Sequence, residues 1–223
     1  MELGDSTDDI PLPNLQGQLV SLCLFERPTI QFFDAFKMPA YHSIFLEDRD
    51  VPVIGNFPIL PLRTRTRGPA YTLPPLNIDD IDVSPESESY DCVDEILSLF
   101  RANVLFRNFE INGPADRMLI YGTLFISDCL GKVKPTMTAR EAEKALTNAA
   151  LDNFSIPGDV SFPLNQAFEP PRDRQDAETL RQFISQVRQE IAIRLHARLY
   201  PGGVGPSKFW LSFTKRKFMG KSL

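Results

Sequence analysis

The chain has 223 residues, of which 43% are hydrophobic, so it can bury a substantial core. Its formal net charge of −5 gives no reason to expect a nucleic-acid-binding protein, and the lack of any run of about 18 apolar residues argues against a transmembrane helix. Three cysteines without metal or redox spacing indicate a reducing compartment.

Residues 1–37 differ in character from the rest of the chain. The start is acidic up to Asn14, which does not fit the basic n-region of a signal peptide, and residues 18–36 are apolar without a clear period. Met38 is a plausible second start. We expect residues 1–37 to be a disordered or non-native extension, and residues 38–223 to form a single helical domain.

A short hairpin and an acidic linker precede the helices. Residues 51–62 contain two short apolar runs around Gly55-Asn56, a turn signal that predicts a β-hairpin-like segment. Residues 64–90 are rich in proline and carboxylates, a composition that buries too little surface to offset its ordering entropy. We expect this segment to be a flexible acidic linker within the domain.

The organising element is a helix over about residues 112–133. From Met118 to Leu130 its apolar residues lie on every side and Asp128 is the single charge, which is typical of a helix at the middle of a domain. Asn112 is the expected N-cap, Pro114 lies in the first turn, and Asp116 suits the positive end of the helix dipole. The predicted fold is therefore mainly α, with other helices around this one.

Three further helices are predicted from apolar periodicity and capping signals. One precedes the central helix and spans residues 91–106. The next one after the central helix spans residues 138–151 and starts with a capping box formed by Thr138 and Glu141. The last spans residues 176–200, and its apolar stripe consists of Leu180, Phe183, Ile184, Val187, Ile191, Leu195 and Leu199.

Two non-helical stretches complete the chain. Residues 153–171 are extended but too apolar for a loose loop, so we expect them to pack on the helices, with a turn at Gly158. The tail from Pro206 onward favours a short helix capped by Ser207, although alternation of its apolar residues also permits a strand.

No catalytic or ligand-binding motif emerges from the sequence, so neither a cofactor nor a metal is predicted. His42 and His196 lack zinc-site spacing, and His196 lies beside the apolar face of its helix, which favours a structural role. The glycine-rich residues 202–208 lack the glycine before Lys208 that a phosphate-binding loop requires.

The tail is the candidate partner-binding site, because basic residues alternate there with aromatic ones. Such a pattern can bind an acidic protein surface, anionic lipid or nucleic acid. Alternatively, the aromatic rings face the core and the bases form its wet edge. The candidate residues are Lys208, Phe209, Trp210, Lys215, Arg216, Lys217, Phe218 and Lys221.

Several short motifs keep a common order from Met38 to the end of the chain. They are Met38-Pro39-Ala40-Tyr41-His42-Ser43, Val93-Asp94-Glu95, Ala115-Asp116-Arg117, Leu119-Ile120-Tyr121, Ile156-Pro157-Gly158, Phe162-Pro163-Leu164-Asn165, Val187-Arg188-Gln189-Glu190, Pro206-Ser207-Lys208 and Lys221-Ser222-Leu223. With these motifs the chain resembles the 21-kDa subunit family of the actin-related protein 2/3 complex. It departs from the family in a longer acidic linker and in the glycine-rich residues 202–205.

The resemblance implies a small, mainly helical, non-catalytic subunit without a cofactor. Its partners would be the actin-related protein subunits of a seven-subunit assembly and, through that assembly, the actin filament. The implied activity is nucleation of branched actin filaments in the cytoplasm and cytoskeleton, with cortical actin patches as the expected place. The alternative function is a phosphoinositide- or membrane-surface-binding module that uses the basic aromatic tail.

Overall fold

The computed structural model describes residues 40–48, 50–76, 83–203 and 205–223, and the predicted extension 1–37 lies outside them. Helices dominate this part of the chain, which confirms the mainly α prediction. The helices are α1 (Cys92–Asn103), α2 (Pro114–Lys132), α3 (Ala139–Leu151), α4 (Arg174–Leu199) and α5 (Lys208–Leu211). The strands are β1 (Val53–Ile54) and β2 (Phe57–Pro58), and single 3-10 turns occur at Ile44–Glu47, Pro201–Gly203 and Phe218–Gly220.

Helix α2 lies at the centre, as its all-round apolar character predicts. It packs against α1, α3, α4, β2 and the 3-10 turn at Ile44–Glu47. A Cβ atom on Gly122 would come within 2.5 Å of Ile96 Cδ1, so this glycine allows α1 and α2 to approach closely. The buried apolar side chains of α2 are Met118, Leu119, Ile120, Tyr121, Leu124, Phe125, Ile126, Cys129 and Leu130.

The start of α2 differs from the prediction, because Asn112 does not cap it. Gly113 occupies the N-cap position and Pro114 the first helical position. The backbone N–H of Asn112 donates instead to Asp116 Oδ2 at 2.9 Å. The Asp116 side chain thus turns back over the helix start, and a cap from residue 112 is not formed.

The other helices follow the predicted periodicity, with shifted ends. Helix α1 ends at Asn103 rather than at residue 106, and α4 begins at Arg174 behind an Asp173 N-cap rather than at residue 176. The capping box of Thr138 and Glu141 is present at the start of α3. Every residue of the predicted α4 stripe is buried, which confirms that this face packs in the core.

The predicted hairpin and the predicted packing of residues 153–171 are both confirmed. Strands β1 and β2 pair antiparallel with Ile54 opposite Phe57, and Gly55 turns the chain with φ +60°. Any side chain at Gly55 would meet Glu169 O at 2.5 Å, so the hairpin and the segment before α4 touch through backbone. Phe57 packs on Phe168 with ring centroids 5.8 Å apart.

The predicted linker makes specific contacts with α4 in its described parts. Ala70 is buried, and its backbone N–H donates to Gln186 Oε1 at 3.2 Å. Gln186 Nε2 donates in turn to Thr66 O at 2.7 Å. Residues 66–70 are thereby fastened to the helix. Mobility of the segment stays a prediction, and residues 77–82 within it lie outside the described residues.

Candidate partner-binding surface

The C-terminal tail returns from the end of α4 to the end of α1. Gly202 and Gly203, with φ +73° and +75°, reverse the chain after α4. Ser207 N–H then donates to Leu199 O at 2.7 Å, which sets the direction of α5. The short helix predicted for the tail is present, with Ser207 at its N-cap position, and the strand alternative is not adopted. The Ser207 side chain, however, makes no cap hydrogen bond.

Two of the aromatic residues assigned to partner binding lie in the core. Trp210 stacks on Phe100 and Phe218 packs edge-on against Phe109, each pair with ring centroids 5.8 Å apart. Both side chains are buried. The alternative in which the tail aromatics face the core is therefore right for Trp210 and Phe218, and these rings fix the tail to the fold.

Phe209 behaves differently from its neighbours. Its side chain is 51% exposed, and the guanidinium of Arg101 lies over its ring, 4.8 Å from the centroid. Phe213 supports the same ring from another side, with centroids 5.7 Å apart. Of the aromatic residues predicted to contact a partner, Phe209 is thus presented on the surface.

A groove of about 520 Å³ runs between the end of α1 and the tail. We call it the tail groove. Met219 N–H donates to Phe106 O at 3.0 Å and joins the tail to the segment after α1. Its lining combines basic side chains with apolar ones, and consists of Val104, Leu105, Arg107, Lys215, Arg216, Lys217, Met219 and Gly220.

The tail groove is electropositive. Lys215, Arg216 and Lys217 come from the tail, and Arg107 joins them from the segment after α1. None of the four forms an ion pair with a carboxylate among the described residues. The predicted bases Lys208 and Lys221 are also exposed but do not line the groove.

The backbone of the groove is held in an uncommon conformation. Met219 has φ +52°, in the left-handed region that a side chain rarely adopts. This conformation of a non-glycine residue costs about 1–3 kcal/mol and persists only where surrounding contacts impose it. Here the Met219–Phe106 hydrogen bond and burial of Phe218 impose it. The groove is therefore preformed by the fold.

A second cluster, not foreseen from the sequence, fastens the N-terminal arm of residues 40–48. Asn103 pairs with the backbone of Tyr41, accepting from its N–H at 3.1 Å and donating to its C=O at 2.9 Å. Asp116 accepts from Ser43 N–H at 2.9 Å, and His42 Nδ1 lies 2.9 Å from its other oxygen. Buried polar side chains from α1 and α2 thus hold the arm.

Glu95 of α1 completes this cluster. Its carboxylate accepts from Ser43 Oγ at 2.7 Å and from Ile44 N–H at 2.6 Å. Burial raises the pKa of Glu95 to about 7, even though the hydrogen bonds from Ser43 and Ile44 favour the charged form. In the sequence, Glu95 is singled out only as the last residue of the motif Val93-Asp94-Glu95.

His196 and Cys129 are both integrated into the fold. His196 Nε2 lies 2.9 Å from Ala139 O, which confirms its predicted structural role. Cys129 is buried, and burial raises the pKa of its thiol to about 12. Within the described ranges, no group of three or more His, Cys, Asp and Glu residues could hold a metal ion. Among the helices of the described ranges, none combines the length and the apolar character that spanning a lipid bilayer requires.

Comparison with known proteins gives consistent matches over most of the chain. Residues 38–223 match the family model described as P21-Arc: ARP2/3 complex ARPC3 (21 kDa) subunit. Actin-related protein 2/3 complex subunit 3 of Schizosaccharomyces pombe is 53% identical over 188 residues, covering 83% of this chain and 100% of the relative. The Saccharomyces cerevisiae protein of the same name is 50% identical over 191 residues, with the same coverage. That of Dictyostelium discoideum is 46% identical over 187 residues, covering 82% and 99%.

Proposed function

Because the chain belongs to the 21 kDa subunit family of the ARP2/3 complex, we propose that it is a non-catalytic structural subunit of such a complex. It binds actin-related protein subunits and thereby supports nucleation of branched actin filaments. The observation that supports this function most strongly is the family match, which spans every residue that the structure describes. We expect the protein in the cytoplasmic actin cytoskeleton, at cortical actin patches.

The arrangement of buried charges supports a structural role rather than a catalytic one. Arg194 pairs with Asp91, Arg63 pairs with Asp94, and Asp116 accepts hydrogen bonds from the backbone of Ser43 and of Asn112. These groups hold helices and loops together, and buried charges without such partners would be costly. The mechanism is therefore binding energy, with a rigid helical core that presents partner-binding surfaces.

We place one of those surfaces on the C-terminal tail. Lys208, Phe209, Lys215, Arg216 and Lys217 are presented on the outside of the fold, together with Lys221. Exposed bases that form no ion pair within the described part of the chain favour contact with acidic surfaces of neighbouring subunits. No finding favours the phosphoinositide- or membrane-binding alternative.

The test of the proposed function is purification of the tagged protein from its native cells. A C-terminal tag and gentle elution should yield an assembly several times heavier than the 25.2 kDa chain, with actin-related proteins among its subunits. Mass photometry and peptide sequencing of the eluted material measure both properties. A monomer, or an assembly without actin-related proteins, would overturn the proposal.

The surface assignment has a separate test with a matched control. The variant Lys215→Glu/Arg216→Glu/Lys217→Glu should weaken incorporation into the assembly while the chain still folds. The control reverses three exposed bases within and just before α3, Lys134→Glu/Arg140→Glu/Lys144→Glu, and carries the same change in charge. Equal incorporation of the two variants would remove the tail from the contact surface.

A further inference from the structure

We propose that the tail groove binds an acidic, extended segment of a partner protein, and that this segment places an apolar side chain on Leu105. The inference rests on the proposed function, because it names the chemistry of a partner for the tail surface. Charge, exposed apolar area and the preformed shape of the groove each contribute to it.

The charge of the groove selects an acidic partner. Arg107 and the run from Lys215 to Lys217 face one concave space, and none of the described residues that line it carries a carboxylate. Concentrating like charges in a groove raises its attraction for anions, because field lines are focused between low-dielectric walls. A segment rich in aspartate or glutamate would relieve the repulsion among these bases.

The apolar part of the groove favours a partner that carries an apolar side chain as well as negative charge. Leu105 is 54% exposed, although Val104 beside it is almost fully buried. An exposed leucine between cations gains little from a purely ionic ligand. An apolar side chain packed on Leu105 removes both surfaces from water and adds a directional anchor to the ionic attraction.

The shape of the groove favours a protein segment over a membrane. The bases line the walls of a concavity whose geometry is fixed by the Met219–Phe106 hydrogen bond and the left-handed Met219. A lipid surface is broad and would meet only the rims of such a groove. A concavity between two segments of chain suits a narrow, extended ligand better than a broad surface, and a preformed site lowers the entropy cost of binding.

The test uses a defined probe on the full chain. The probe is a short fluorescein-labelled peptide of aspartate and glutamate with one central leucine, and its counterpart has serine in place of that leucine. Fluorescence anisotropy should show tighter binding of the leucine peptide, and affinity for both should fall as salt screens the charges. Equal affinity for the two peptides would overturn the apolar contact on Leu105.

Variants of the chain locate the binding. The triple reversal at residues 215–217 should weaken binding of the leucine peptide by about tenfold or more, whereas the control reversal at Lys134, Arg140 and Lys144 should change it by less than about twofold. If the triple reversal fails to fold by circular dichroism, the milder Lys215→Gln/Arg216→Gln/Lys217→Gln variant takes its place. Equal effects of the reversal variants would overturn the assignment to the groove.

A mutant cycle isolates the apolar contact. Leu105→Ser should weaken binding of the leucine peptide by about three- to tenfold and leave the serine peptide unchanged. Vesicles of phosphatidylcholine with a phosphoinositide serve as the competing ligand class. If they bind the chain in a Leu105-dependent manner while the leucine peptide does not, the partner is a membrane and the inference is wrong.

The result is separable from the proposed function. The chain could purify within an assembly and yet not bind the acidic leucine peptide. That result would overturn the inference and leave the structural role intact. Peptide binding by a chain that elutes as a monomer would support the groove and overturn the structural role.

Discussion

Arg194 and Asp91 form a buried two-point ion pair that joins the last part of α4 to the start of α1. Nη1 of the guanidinium lies 2.6 Å from Oδ1 of the carboxylate, and Nη2 lies 2.7 Å from Oδ2. The same carboxylate caps α1 by accepting from Val93 N–H and receives Arg63 N–H from the preceding loop. Burial alone would raise the pKa of Asp91, but its hydrogen bond to Arg194 and the charge of that residue lower it.

Among substitutions that remove one charged side chain, those that break this pair should lower the stability most. Arg194→Met leaves Asp91 charged and buried, and should lower the free energy of unfolding by about 3–5 kcal/mol. Urea unfolding followed by circular dichroism measures the change. The control is Lys132→Met, which breaks surface pairs with Asp128 at 3.4 Å and with Asp152 at 3.8 Å and should cost less than about 1 kcal/mol. Similar losses in both variants would contradict the structural role of the buried pair.

The pKa of Glu95 predicts a pH dependence of stability with a definite sign. Its ordinary value is 4.5 and its value in the fold is about 7, so the folded state binds more protons between these limits. The contribution of Glu95 to the stability of the fold is therefore complete below pH 4.5 and is lost as the pH rises through about 7. The loss is roughly 1–3 kcal/mol.

Comparison with two variants separates Glu95 from other titrating groups. Glu95→Gln should remove the part of the pH-dependent decline in stability that comes from Glu95. The difference in the free energy of unfolding between this variant and the unmodified chain should therefore change steadily between pH 4.5 and 7. Ser43→Ala removes a hydrogen bond that favours the carboxylate, and should extend the decline to higher pH. Chemical unfolding at a series of pH values provides the data. A constant difference between the chain and Glu95→Gln would refute this titration.

Two glycines of α2 should respond to the same substitution with opposite signs. A methyl group at Gly122 would clash with Ile96 on α1, so Gly122→Ala should destabilise the fold by about 1–3 kcal/mol through overpacking. A methyl group at Gly131 would meet no atom within 4 Å, so Gly131→Ala should stabilise the fold by up to about 1 kcal/mol. Thermal unfolding of the two variants side by side checks the contrast. Destabilisation by both would show that α2 tolerates no added side chain at either site.

The tail aromatics should divide into core and surface residues by their effect on stability. Phe218→Ala removes a buried ring against Phe109 and should cost about 3–5 kcal/mol. Phe209→Ala removes an exposed ring under Arg101 and should cost about 1 kcal/mol or less. Calorimetric melting of each variant distinguishes them. A large loss for Phe209→Ala would exclude it as a free contact residue.

The features that sequence reasoning predicts correctly are those determined by near neighbours in the chain. The α4 stripe follows from helical periodicity, and the Thr138–Glu141 capping box spans a single turn. Even the Asn112 cap is a sound local expectation. It is wrong by one position, because Gly113 occupies the N-cap and makes no side-chain cap hydrogen bond. Asp116 accepts from the Asn112 N–H and also from Ser43 of the distant arm, and only the contact with the arm lies beyond any local pattern.

The features that sequence reasoning misses depend on residues far apart in the chain. From their spacing, Glu190 and Arg194 can only be expected to pair along α4, and they do so at 3.5 Å. The buried contact of Arg194 with Asp91, 103 positions away, follows only from the fold. The tail bases are recognisable from their clustering, but Leu105 and Arg107 join them only because Met219 binds Phe106. Burial of Trp210 and Phe218 likewise depends on the placement of α1 and of the segment that follows it.

The arm of residues 40–48 is coupled to the local unfolding of α1 and α2. Its amides are held by Glu95 of α1 and Asp116 of α2, side chains that are correctly placed only while the two helices are docked. The arm should therefore not fray as a loose end. In native-state hydrogen exchange, the amides of Ser43 and Ile44 should exchange together with the α1–α2 pair, as one cooperative unit.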